Sequence, residues 1–268
     1  MYDTHMHTKP FSTDSEMELS EVIDRKKQMG LGIVLTEHMD FDFPPPSVYR
    51  FDVESYFHTY APYRNDDLLL GVEIGFQLSA IERNQKLIKS WPFDMVIGSI
   101  HVVCGKDLYD PAYFQSFSDK KSAYGAYLDA MCENLQAFDD FDTLGHIDYI
   151  CRKAPYEDSL LHYEEFPKEI DNILKLLADK GKSLEINTRL FGQKDALKEL
   201  EIICQRFKEL GGQTVTIGSD SHHASAIGYS IEHAYELARK CKLMPVVYRK
   251  RKKDSLLLPV YDTIVNRI

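Results

Sequence analysis

Short runs rich in apolar and β-branched residues alternate with longer amphipathic stretches along the chain, and that alternation constrains its fold more than any other feature. Seven runs read as strands, at residues 1–4, 32–36, 68–73, 95–99, 142–145, 183–187 and 214–218. Helical periodicity is clear over 16–29, 78–90, 122–138, 164–180, 195–210 and 231–241, and Gly30, Gly181 and Gly211 stand where helices end. Repeated βα units imply a parallel sheet, because a parallel neighbour is reached only through a long crossover. Seven such strands can close on themselves, so the expected fold is an α/β (β/α)7 TIM-like barrel, with an open doubly wound sheet as the alternative. In both, ligands gather at the carboxyl ends of the strands. Two segments interrupt the rhythm. In 41–66, Pro44-Pro45-Pro46 marks irregular chain and 53–63 a short aromatic helix that packs on the barrel, roofs a pocket or forms an interface; the other segment is 102–121.

No Gly/Ser- or Pro-rich linker divides the 268 residues, which predicts a single domain over 1–268 with a C-terminal tail from about 250. The five cysteines are scattered and form no CxxC, so neither a disulfide framework nor a thiolate zinc site is expected. A formal net charge of -10 argues against long nucleic acid as a partner, since affinity for a phosphate backbone comes largely from Lys and Arg. The one basic run, Arg249-Lys250-Arg251-Lys252-Lys253, reads as a solvated turn or tail. With no signal peptide and no apolar run of membrane-spanning length, a soluble cytoplasmic protein with no membrane partner is expected. The sequence leaves its oligomeric state open.

The ten histidines are informative by position. His5 and His7 end the first strand, His38 the second, His101 the fourth, His146 the fifth, and His222 and His223 the last; His58, His162 and His233 fall in helices or loops and read as surface or boundary residues. One strand-end histidine is ordinarily a packed or surface residue, but seven on one rim call for a shared purpose. Carboxylates accompany them: Asp3, Glu37, Glu73, Asp148 and Asp220, with Asp14 in the loop leaving the first strand. Neutral imidazole and carboxylate are the ligand set of zinc, iron or manganese. The HxH spacing of His5 and His7 sends both rings to one side of a strand, because alternate residues share a face.

In order along the chain, "DTHMH", "TEH", "GVEIG", "GSIH", "GHID" and "GSDSH" resemble the motifs of the PHP (polymerase and histidinol phosphatase) family of metal-dependent phosphoesterases. "GSIH" followed by Tyr109-Asp110-Pro111, the chain length and the absence of a polymerase region make the chain most similar to the monofunctional branch, which hydrolyses L-histidinol phosphate to L-histidinol and phosphate in histidine biosynthesis. The resemblance implies a distorted (β/α)7 barrel holding three divalent ions. Carried over, His5, His7, Glu73 and Asp220 hold the first ion, Asp14, His38 and His222 the second, and a bridging Glu73 with His101 and His146 the third. Asp3, Glu37 and Asp148 become candidates to accept the outer N–H of ligating histidines.

Three divalent ions carry twice the charge of the three ligand carboxylates, so an anionic substrate suits the site. The expected reaction is metal-assisted hydrolysis of a small-molecule phosphomonoester, with closely spaced ions activating water and clamping the phosphoryl oxygens. Arg152 and Arg189, beyond two strand ends, are the candidate phosphate-binding residues. Glu73, Asp220 and His223 are the candidate catalytic residues, the leaving alkoxide taking its proton from His223 or from a metal-held water. Asp42, Asp107 and Asp110 in the two long loops are candidates to face the substrate's amine. The alternatives are a PHP-type nuclease or nucleotide phosphoesterase acting on oligonucleotide ends or small nucleotides, and a non-catalytic metal-binding regulator.

Overall fold

The computed structural model describes residues 1–255. Its strands are β1 (Tyr2–Asp3), β2 (Gly32–Met39), β3 (Leu68–Gly75), β4 (Val96–Ser99), β5 (Val102–Val103), β6 (Lys106–Asp107), β7 (Thr143–Leu144), β8 (Ser183–Asn187), β9 (Thr214–Gly218), β10 (Met244–Arg249) and β11 (Lys252–Ser255). Its helices are α1 (Leu19–Met29), α2 (Val53–Tyr60), α3 (Ile81–Ser90), α4 (Pro111–Phe114), α5 (Lys120–Ala137), α6 (Pro167–Asp179), α7 (Ala196–Glu209) and α8 (Ile231–Lys240). Gly30 ends α1 at φ 63°, a left-handed conformation that costs a residue without Cβ little. Among the described residues no helix is long and apolar enough to cross a membrane.

All seven expected strands are present, and one sheet joins them in the order β1-β2-β3-β4-β7-β8-β9-β10-β11, parallel throughout except for β11. β10 is an eighth parallel strand that the sequence reading did not anticipate. Its Val246-Val247-Tyr248 core carries a strand signal, but Pro245 and the basic run crowd it on both sides. No ladder of paired strands links β1 to β9. Instead Thr4 N donates to Ile217 O (2.8 Å), Asp220 N to His5 O (2.8 Å) and His7 N to Ser221 O (2.9 Å), which ties the two edges together at their carboxyl ends. β10 takes the lower part of the same edge of β9, pairing Met244 with Thr214 and Pro245 with Val215.

The period-two alternation of the strands separates two environments. One set of side chains, with Ile33 and Leu35 of β2 and Leu70, Val72 and Ile74 of β3, joins the large core beneath the helices. The other set makes a smaller apolar plug of Val34, Leu69, Met95, Ile97, Val246, Val247 and Tyr248. On β3 the second face runs Leu69, Gly71, Glu73, and on β2 Val34, Thr36, His38, so the apolar plug lies below and the polar rim above.

The interrupting segments also acquire structure. α2 buries Val53, Tyr56, Phe57 and Tyr60 against the barrel, while β5 and β6 form a two-stranded hairpin directly after His101. The basic run is no free turn, because Arg249 pairs with Asp254 (2.8 Å), Arg251 reaches Asp140 (3.2 Å) and Asp142, and Lys253 Nζ donates to Gly181 O (2.7 Å). Residues 252–255 of the expected tail are thus strand, and 256–268 lie outside the described residues. All five cysteines are free; Cys151, Cys204 and Cys241 are buried, whereas Cys104 is exposed.

Candidate metal centre

Eight side chains expected on the rim converge around Glu73. Its carboxylate is fully buried, and its two oxygens face two different sets of imidazoles. Oε2 lies 2.8 Å from His38 Nδ1, 3.4 Å from His5 Nε2 and 3.6 Å from His7 Nε2, while Oε1 lies 2.8 Å from His146 Nε2 and 3.3 Å from His101 Nε2. Ser99 Oγ donates to Oε1 at 2.7 Å. Asp220 Oδ1 completes the first set, 3.3 Å from His7 Nε2 and 3.8 Å from His5 Nε2. Asp14 Oδ2 stands 3.3 Å from His38 Nε2 and 3.1 Å from His222 Nε2, so the loop after β1 does bring this carboxylate to the rim.

Metal ions fit this donor set. His5 Nε2, His7 Nε2, His38 Nδ1, His101 Nε2 and Glu73 Oε2 are buried without a hydrogen-bond partner among the described residues, and a native interior rarely tolerates one such atom. Together they aim at common points: His5, His7 and Glu73 offer ligand atoms all within 4.8 Å of one another, as do Glu73, His101 and His146, and His7, His38 and His222. Burial opposes ionisation of Glu73, but the fields of His5, His101 and His38 outweigh it and hold the carboxyl well below the usual range. For Asp220 burial is likewise outweighed, chiefly by the Arg152 guanidinium. Burial, with His38 and His222 close by, pushes His7 well below the usual imidazole range. For His5 and His38 burial is outweighed by the surrounding carboxylates, which hold the rings well above that range, so a metal bound there displaces protons.

The outer contacts differ from expectation. Asp3, Glu37 and Asp148 do not hold ligating rings. Asp3 accepts from Ser219 N (2.9 Å) and Gly228 N (2.9 Å) across the seam. Glu37 binds Thr8 N (2.9 Å) and Ser12 Oγ (2.7 Å), and is one residue removed from His7. Asp148 is pushed up to about 6 by burial and faces Arg152. Two unforeseen residues do that work. Glu185 Oε1 accepts from His5 Nδ1 at 2.7 Å while its Oε2 accepts from His146 N at 2.8 Å, and Asp40 Oδ1 lies 3.0 Å from His101 Nδ1. Burial lowers His101, but Asp40 and Glu73 more than reverse it, lifting the imidazole to about 10 when no metal is present.

A cleft opens above the rim, lined by Asp14, His38, His101, His146, Asp220 and His222, by Arg152, Arg189 and His223, and by Phe43, Tyr49, Asp107, Tyr109 and Tyr149. Arg152 is stacked 4.8 Å above the Tyr149 ring, with Nη1 2.6 Å from Asp220 Oδ2. Arg189 Nη1 donates to Asp220 O (2.7 Å) and lies 3.0 Å from His222 Nδ1. His223 sits at the lip, its side chain 60% exposed and 3.3 Å from Glu16. His58 and His233 are on the surface, and His162 pairs with Asp158 and Glu199 far from the rim.

A mostly parallel α/β sheet carrying a buried cluster of imidazoles and carboxylates at its strand ends defines a metal-binding protein with an anion-receptive cleft. A family model described as the PHP domain matches residues 3–189, and the chain belongs to that family. A probable histidinol-phosphatase of Clostridium acetobutylicum is 42% identical over 251 residues, 94% of this chain and 98% of that one. The histidinol-phosphatase of Lactococcus lactis is 34% identical over 244 residues, 89% of this chain and 90% of that one. The crystal structure of histidinol phosphate phosphatase from Lactococcus lactis, complexed with zinc, L-histidinol and phosphate, matches with a TM-score of 0.87 at 33% identity, covering 94% of this chain and 98% of that one.

Proposed function

We propose that the chain, acting as a single domain in the cytoplasm, is a metal-dependent phosphatase that hydrolyses L-histidinol phosphate to L-histidinol and phosphate in histidine biosynthesis. The observation that carries this reading is the set of unpartnered, buried imidazole and carboxylate atoms around Glu73, opening on a cleft that holds two arginines. Three ions are assigned: one to His5, His7, Glu73 and Asp220, one to Asp14, His38 and His222, and one to Glu73, His101 and His146. When bound they supply Lewis acidity that activates water and offsets phosphoryl charge.

The protein's own groups do the rest. Each guanidinium has five N–H donors, so Arg152 and Arg189 retain donors for phosphoryl oxygens after bonding Asp220. Such donors are fixed before reaction and act where charge spreads in the transition state. By holding Asp220 on its far oxygen and backbone carbonyl, the same arginines orient a ligand as well as the substrate. His223, solvated at the lip, gives a proton to the leaving alkoxide.

Elemental analysis of purified protein, with phosphate release measured before and after chelation, tests the reading. Expected are three divalent ions per chain and activity on histidinol phosphate that chelation removes and metal restores. Turnover indifferent to chelation would overturn the metal mechanism, and turnover confined to nucleotide substrates would overturn the assigned substrate.

A further inference from the structure

We propose that Asp107 is the residue that binds the substrate's ammonium group and so selects aminoalkyl phosphates over neutral phosphomonoesters; this inference rests on the substrate assigned above. The loaded rim and its two arginines suit a phosphate but repel a cationic amine, so an amino alcohol phosphate needs a separate counter-charge within the same cleft. Three carboxylates other than Glu73 reach the cleft: Asp14, Asp220 and Asp107. Asp14 is committed to His38 and His222, and Asp220 to His7 and Arg152. Asp107 has no ion-pair partner among the described residues.

The other loop acids are engaged elsewhere. Asp42 binds Ser79 and Arg83, and Asp110 caps α4 by accepting from Ala112 N (2.8 Å). Asp107 uses Oδ1 to accept from Tyr109 N (2.8 Å), which fixes the side chain and leaves Oδ2 without a donor among the described residues. Its hairpin is registered on the metal centre: Leu108 N donates to the carbonyl of His101 (3.0 Å) and Val102 pairs with Asp107. Tyr109 stacks on Tyr149 at 5.2 Å and 12°, and Tyr149 lies 4.8 Å from the His146 ring. A carboxylate in a cleft also lined by Tyr109 and Tyr149 suits an ammonium next to an imidazole ring, the cationic and aromatic parts of the assigned substrate.

The test compares L-histidinol phosphate with its deaminated analogue, 3-(imidazol-4-yl)propyl phosphate, on metal-loaded wild type and Asp107→Asn. The asparagine retains an oxygen for Tyr109 N, so the hairpin keeps its anchor. The ratio of kcat/KM values, aminated over deaminated, is expected to fall roughly ten- to hundred-fold in the variant, the worth of a charged hydrogen bond. Binding of L-histidinol in the presence of phosphate, followed by calorimetry, should weaken by a similar factor. An unchanged ratio and unchanged L-histidinol affinity, in a wild type that turns over histidinol phosphate, would overturn the role of Asp107 alone. A wild type that does not hydrolyse histidinol phosphate would overturn the assigned substrate, and this role with it.

Discussion

Glu185 occupies on β8 the place that Glu73 occupies on β3, one residue before the strand's last pair, yet the two carboxylates face different tasks. Glu73 lies among imidazole nitrogens that have no other partner, whereas both oxygens of Glu185 are already filled by donors: His5 Nδ1 on one, and His146 N and Asn187 Nδ2 (3.1 Å) on the other. Burial opposes ionisation of Glu185 and His5 outweighs it, so its carboxyl lies below the usual range. Glutamine at this position has one acceptor oxygen, so Glu185→Gln must turn an NH2 toward a donor. We expect the variant to fold and to bind metal about 10- to 100-fold more weakly, by analogy with other partners of ligating histidines, measured by competition with a chromogenic chelator. Unchanged affinity would show that His5 is oriented by packing alone. The rim histidines were legible in the sequence because strand ends mark a rim and alternation fixes which way a ring points. Glu185 and Asp40 were not, since each meets a histidine two strands away, Asp40 across β3 and Glu185 across β9, and such a pairing follows only from the sheet order and the inward face.

At the scale of elements, the seam between β1 and β9 sets the spacing of the metal centre. Gly218 lets the two approach: a Cβ there would lie 2.4 Å from His5 Cβ and 2.6 Å from Glu185 Oε1. Neither neighbour can retreat, because His5 is held by Glu185 and Asp220 N is bonded to His5 O. Gly218→Ala is expected to push β9 from β1, lowering stability by about 1–3 kcal/mol, the usual cost of overpacking, and reducing the metal content as well. Thermal unfolding and elemental analysis of the same preparation check this; a variant that loses stability but keeps its full metal content would place the strain elsewhere. The elements themselves were largely visible in the sequence. Helices with a clear apolar stripe fall within a few residues of their expected bounds, whereas β1 and β7 are only two residues long and would not stand out but for the motifs that follow them. β10 escaped notice because it comes after the last rim histidine and contributes nothing to the site, only to the plug beneath it.

For the molecule as a whole, the two ends of the barrel divide its labour. The carboxyl end keeps polar atoms unpartnered for ligands, while the amino end is sealed by β10, β11 and the basic run. The keystone of that seal is Asp142, buried at the start of β7, which accepts from Val96 N (2.8 Å) and from the Arg251 guanidinium. Burial raises its pKa, and Arg251 is the main influence that limits the rise. Because the native value lies above the unfolded one, the native protein holds a proton that the unfolded chain has released as pH climbs out of the ordinary carboxylate range. Stability therefore falls across that window and levels off above the native value. Removing Arg251 lifts the native value further, so the window widens upward and the ionised carboxylate is left buried without its partner. Arg251→Ala should thus be destabilised by roughly 2–4 kcal/mol at neutral pH, less than a fully buried pair because Arg251 keeps some solvent contact. The deficit should shrink toward pH 5 when both proteins are unfolded metal-free, so that the rim histidines titrate alike in each. A deficit that stays the same or grows on acidification would show that Arg251 does not act through the charge of Asp142. Phosphate release per bound metal should change little, since Asp142 and His146 stand at opposite ends of β7, and the structure puts the seal and the site a full strand apart.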